Sequence, residues 1–264
     1  EDGIRASVAS RGLGDVYKRQ VHSGHTESNN HSPALFMMNC GLPRMGYPCV
    51  GSWVTYGLGS SSDSLPAFVV MSDPKGRGLP KGHAANWGAG FLPSVFQGTH
   101  FRPSGDPIDN LYRPNEMNAS QQRRQLDILR KLNQQHLETR PYEEELGARI
   151  ESFELAYRMQ SSVPELLNLS DEPQSMLDLY GVNQPKTIDF GRQCLLARRM
   201  VERGVRFVQL FDQGWDHHGG VFNSLPGKAK QVDQPIAALI KDLNERGPVS
   251  YTHLRAHETL RYLV

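Results

Sequence analysis

The chain has 264 residues, 38% of them hydrophobic, which suffices for one sizeable globular core and does not require a second domain. A formal net charge of +1 provides no strong field toward nucleic acid or an anionic membrane, and no apolar run is long enough to span a bilayer. Three cysteines, Cys40, Cys49 and Cys194, without a C-x-x-C pair argue against a disulfide framework, with one Cys40–Cys49 bridge left open.

Residues 1–20 contain no apolar stretch of the kind a signal peptide needs. Arg11 to Gln20 and Val249 to Val264 resemble translated sequencing-adaptor sequence; the alternative for the second is a short helix carrying Leu254, Leu260 and Leu263. Residues 21–71 are rich in Gly, Ser, Asn and His, with Ser52–Gly59 expected as a short helix closed by glycine. Met37 and Met38, beside Leu35 and Phe36, suit core packing better than a soft-metal site. Ala67–Met71, a dense apolar run between prolines, predicts a buried strand. Residues 72–118 have neither helical nor strand period and predict a long surface excursion.

Ser120 is the expected N-cap of a helix over 120–138 with Leu126, Ile128, Leu129 and Leu132 on one face. A second helix is expected over about 142–160, with Pro164 and Pro173 as punctuation. Phe190 to Val201 mark a third, ended at Gly204. Val205–Phe211 then predicts a buried strand, and a fourth helix covers roughly 225–246. Glu202-Arg203-Gly204 feeds a strand, whereas Glu245-Arg246-Gly247 ends a helix in the same way with no apolar run behind it. The expected organisation is therefore adaptor-derived sequence at 1–20 and 248–264, flanking a domain fragment at 21–247. Helix, strand and helix in the last third predict a layered α/β fold.

The chemistry concentrates in Trp215-Asp216-His217-His218-Gly219-Gly220, just past the carboxyl end of the last strand, the edge where open α/β sheets bind ligands. Asp216 and His218 can converge on one cation if the backbone bends, and the following glycines permit a bend. Carboxylate oxygen with imidazole nitrogen suits zinc or manganese, and His217 would face substrate or support the ligands. The alternative is a polar loop that binds nothing, since a catalytic zinc normally has three protein ligands. His22, His25 and His31 form a second cluster that could reach a metal or an oxyanion, or be a solvated loop. His83, His100 and His136 are isolated and suit packing or surface roles. Arg123-Arg124 and Arg198-Arg199 read as solvated helix faces. Trp53 and Trp87 flank glycine-rich turns and would pack or line a pocket.

Gly51–Gly59, Gly90-Phe91-Leu92-Pro93-Ser94, Glu154–Gln160, Cys194–Gln209 and Gly214–His218 together resemble the domain of unknown function 1501 family, sulfatase-like proteins of the alkaline phosphatase superfamily. The resemblance covers about 21–247. It implies a partial alkaline-phosphatase-like α/β/α sandwich with a mostly parallel sheet, truncated at both ends. It implies Asp216 and His218 as a D-x-H metal-ligand pair, and Asn30-His31 as a pair near the pocket. It further implies an exported parent that hydrolyses sulfate or phosphate esters of small molecules or polysaccharides with zinc, calcium or manganese. The segments in which that family carries its nucleophile and remaining ligands are not found here, so the catalytic residue stays unassigned and the fragment is expected to be inactive and weakly metallated. The competing expectation is a non-catalytic cell-surface or carbohydrate-binding protein on the same scaffold.

Overall fold

The computed structural model describes residues 28, 30–73, 79–102, 106–108, 111–139 and 144–246, with no account of the side chains of 144–150. Residues 1–20 and 248–264, for which an adaptor origin is expected, and His22 and His25 lie outside these. Among the described residues, seven helices surround three strands: α1 His31–Cys40, α2 Val50–Leu58, β1 Phe68–Ser72, β2 Thr99–Phe101, α3 Ala119–Thr139, α4 Glu144–Leu167, α5 Gln174–Leu179, α6 Ile188–Glu202, β3 Phe207–Phe211 and α7 Val221–Glu245. The strand order is β2-β1-β3, and both pairings are parallel.

β1 is buried along its whole length, and its alternating side chains serve two different cores. Val69 and Met71 pack with Phe101, with Met159, Val163 and Leu166 of α4, and with Leu196, Ala197 and Met200 of α6. Phe68 and Val70 pack on the other side with Cys49, Trp87 and Phe211, next to α2. Helices and turns thus cover both faces of a parallel sheet, which makes the fold α/β. A third cluster joins Tyr180, Cys194 and Leu195 to Ala238, Leu239 and Leu243 of α7.

Several expectations are corrected. β3 is half-buried except at Phe211, because among the described residues it pairs on one side alone. The excursion after β1 contains β2 and two short 3-10 turns, His83–Trp87 and Ser94–Phe96. α3 is capped by Asn118, not Ser120: Asn118 Oδ1 accepts from Gln121 N at 2.9 Å and Gln121 Oε1 accepts from Asn118 N at 2.8 Å. The apolar face of α3 stays exposed at Ile128, Leu129 and Leu132. α4 runs through Pro164 to Leu167. Cys40, Cys49 and Cys194 are free thiols.

Arg198 and Arg199 are buried rather than solvated. Glu172 bridges both, at 2.6 Å to Arg198 and 2.5 Å to Arg199, and Arg198 also meets Glu202 at 2.7 Å. Asp242 on α7 accepts from Tyr180 Oη at 2.9 Å and pairs with Arg246 at 2.6 Å. This network ties α6, α7 and the turn after α4 together. Arg123 forms a second cross-link, forked onto Glu154 at 2.6 and 2.9 Å between α3 and α4, while Arg124 is exposed.

Candidate metal centre

Two elements bring the candidate ligands together. The first is the loop after β3. Gly214 at φ +96° turns the chain out of the strand direction, and Gly220 at φ +62° starts α7. The bend expected from the glycine pair is therefore made by one glycine on each side of Asp216-His217-His218. The second element is α1. Asn30 caps it, with Oδ1 accepting from Ser32 N at 3.1 Å, and this sets His31 at the first helical position. Asn30 thus spends its side chain holding His31 in place. Phe36 is buried against the fold, and Gln209 of β3 donates to Asn39 Oδ1 at 2.8 Å, which docks α1 onto that strand. Asn39 in turn donates to Asn86 at 3.1 Å.

The result is a three-residue cluster. His218 Nε2 lies 2.8 Å and His31 Nε2 3.0 Å from the same oxygen, Oδ2 of Asp216. One ligand atom from each residue lies within 4.8 Å of the other two. All three side chains are exposed, at 57% for His31, 50% for Asp216 and 86% for His218. Exposed ion pairs contribute little to stability, so the convergence is not explained as a brace for the fold. Ligand atoms about 2.0–2.1 Å from a tetrahedral zinc sit about 3.3 Å apart, so a few tenths of an ångström of opening brings the two imidazole–carboxylate edges to that spacing. The remaining face is open to solvent.

His217 does not join the triangle. It is half-buried, and its Nε2 is buried without a hydrogen-bond partner. Of the isolated histidines, His100 packs: its ring stacks on Trp87 at 5.7 Å and its Nε2 meets Ser72 Oγ at 2.9 Å. Trp87 is a core residue, whereas Trp53 is 46% exposed. Trp53 belongs to a surface strip of edge-to-face rings running Tyr47, Phe91, Trp53, Tyr56, Phe96.

Sequence reasoning passed over the residues that anchor this loop. Asp212 follows β3 directly. Its Oδ1 accepts from Lys228 Nζ of α7 at 2.8 Å and its Oδ2 from Trp215 Nε1 at 2.7 Å. Asp212 had a detectable signal, an acid at a strand's carboxyl end; Lys228 in mid-helix had none. No helix among the described residues is long and apolar enough to cross a membrane.

No curated protein and no solved structure matches this chain. The model of one family, described as a protein of unknown function (DUF1501), matches residues 20–253. With most of its length matched, the chain belongs to the DUF1501 family.

Proposed function

We propose that this chain is part of a metal-dependent hydrolase of sulfate or phosphate esters, on an alkaline-phosphatase-like α/β/α scaffold, with His31, Asp216 and His218 holding the cation. The observation that supports this best is the arrival of His31 at Asp216 and His218 from a different element. Two imidazole nitrogens and a carboxylate oxygen favour zinc or manganese over calcium, which takes oxygen ligands. A cation bound there would supply Lewis-acid stabilisation of negative charge on an ester oxygen. The chain's own part is to hold three donors toward solvent at the carboxyl edge of a parallel sheet, where a substrate can approach. No residue is assigned as nucleophile, and these 264 residues alone are expected to show no turnover.

The reading is tested by titrating zinc and manganese into the purified chain in competition with a chromophoric chelator. One ion per chain is expected, with affinity collapsing in His31→Ala, Asp216→Asn and His218→Ala. Wild-type binding no tighter than that of the triple variant would refute the ligand set. Turnover of aryl sulfate or aryl phosphate by the metallated wild type would refute the expected inactivity.

A second reading, a carbohydrate-binding module without catalysis, draws support from the exposed strip around Trp53, since aromatic rings stack on the apolar faces of sugars. Retention on a sulfated-polysaccharide column that Trp53→Ala abolishes and His218→Ala leaves intact would favour it.

A further inference from the structure

The loop that carries Asp216 and His218 has little packing of its own: Trp215, Asp216, His218, Gly219 and Gly220 are all exposed. What holds it is a closed polar ring on its strand side. Asp212 uses one carboxylate oxygen for Lys228 and the other for the indole N–H of Trp215, the residue immediately before Asp216. Lys228 is 8% exposed and Asp212 16%. The Lys228 ammonium also donates to Gln231 Oε1 at 3.2 Å and lies 5.7 Å from the centre of the Trp215 ring. Both donors therefore converge on a carboxylate that cannot swing away without leaving a nearly buried ammonium short of a partner.

We propose that Asp212, Lys228 and Trp215 are positioning residues for the cation site, fastening the backbone ahead of Asp216 to α7 so that its carboxylate meets His31 before any ion arrives. This rests on the ligand set proposed above. The physical ground is preorganisation: a loop ordered in advance loses less conformational freedom on binding, and partners that orient ligands typically account for about 10–100-fold in metal affinity. A clamp that served stability alone would have small reason to recruit Trp215, a residue that remains 41% exposed.

The experiment compares zinc affinity, by chelator competition at neutral pH, with the thermal midpoint of the metal-free chain, for wild type and for Trp215→Phe, Lys228→Met and Lys228→Arg. Trp215→Phe keeps the ring and removes the donor. It should weaken zinc binding by roughly 10-fold while leaving the metal-free midpoint within a degree or two. Lys228→Met should weaken it by roughly 10–100-fold, and Lys228→Arg should restore most of the loss. Wild-type affinity in Trp215→Phe, or equal losses in affinity and midpoint across the set, would overturn the clamp and leave the ligand set standing. A wild type that binds no zinc would overturn both. Lys228→Met serves as evidence if it folds; Trp215→Phe decides the question if it does not.

Discussion

Replacing Glu172 with Gln removes one negative charge from a nearly closed cluster. The Glu172 side chain is 7% exposed and its two arginine partners 4% and 6%. The amide offers one acceptor oxygen in place of two, and its NH2 faces a guanidinium that also only donates. Breaking a buried pair from one side costs about 3–5 kcal/mol. Compensation remains, since Arg198 keeps Glu202 at 2.7 Å and Asp242 at 3.3 Å, and Arg199 keeps the carbonyls of Leu166 at 2.9 Å and Glu165 at 3.1 Å. The lower end, about 3 kcal/mol, is therefore expected, or roughly 6–12 °C in Tm for a domain of this size. The effect depends on pH. Burial pushes the Glu172 carboxyl up, but hydrogen bonds from Arg199 and Arg198 outweigh burial and hold it below its ordinary value. Its charge thus stabilises the fold fully above the unfolded carboxylate pKa of about 4.3, and the contribution is lost as pH falls through the lower folded value. Urea denaturation followed by far-ultraviolet circular dichroism should show the full gap at neutral pH and a closing gap below about pH 4. Equal midpoints at neutral pH, or a gap unchanged in acid, would refute the assignment.

Three further outcomes are expected. Gly191→Ala places a methyl group of α6 on the backbone carbonyl oxygen of Tyr180, which is fully buried in the turn after α5, so a loss of about 1–3 kcal/mol should appear in the same denaturation assay. Asn118→Ala removes the capping box of α3 and should cost about 1 kcal/mol of local stability, read by hydrogen exchange in the first turn of that helix. Burial and the neighbouring Cys49 push the Cys40 thiol up to about 11, and burial raises Cys49 and Cys194 as well, so Ellman's reagent should react slowly with the native chain at neutral pH and count three thiols in urea. Fewer than three without reductant would restore the Cys40–Cys49 bridge.

What could be read ahead of the structure was whatever rests on apolar period. β1, α6 and α7 follow dense or periodic hydrophobic residues that do become buried, and the Asp216–His218 loop could be placed because β3 precedes it. α1 escaped because it docks through a single aromatic, Phe36, and a buried amide, Asn39, so no stripe marks it. β2 escaped because three residues cannot establish an alternation. α3 shows the converse: its leucines have the right spacing, yet Ile128, Leu129 and Leu132 meet solvent, because period reports what could be buried and not what is covered. Arg198 and Arg199 misled for a related reason. Charge reads as surface until the partners are known, and Glu172 and Asp242 lie 26 and 44 positions from Arg198. His31 had a local sign, the Asn30 cap, but the distance in sequence to Asp216 hid their meeting.

The register of β1 against β3 pairs Val69 with Val208, 139 positions later. On a ribosome extending at about 5–20 residues per second, the most apolar of the described strands waits roughly 7–28 s for this neighbour to be synthesised. Through that interval Phe68-Val69-Val70-Met71 is an emerged sticky segment with no partner from β3, well suited to capture by a holdase or by another nascent chain. Yield in a cell should therefore respond to translation speed and chaperone supply more steeply than the melting temperature of the finished protein would suggest.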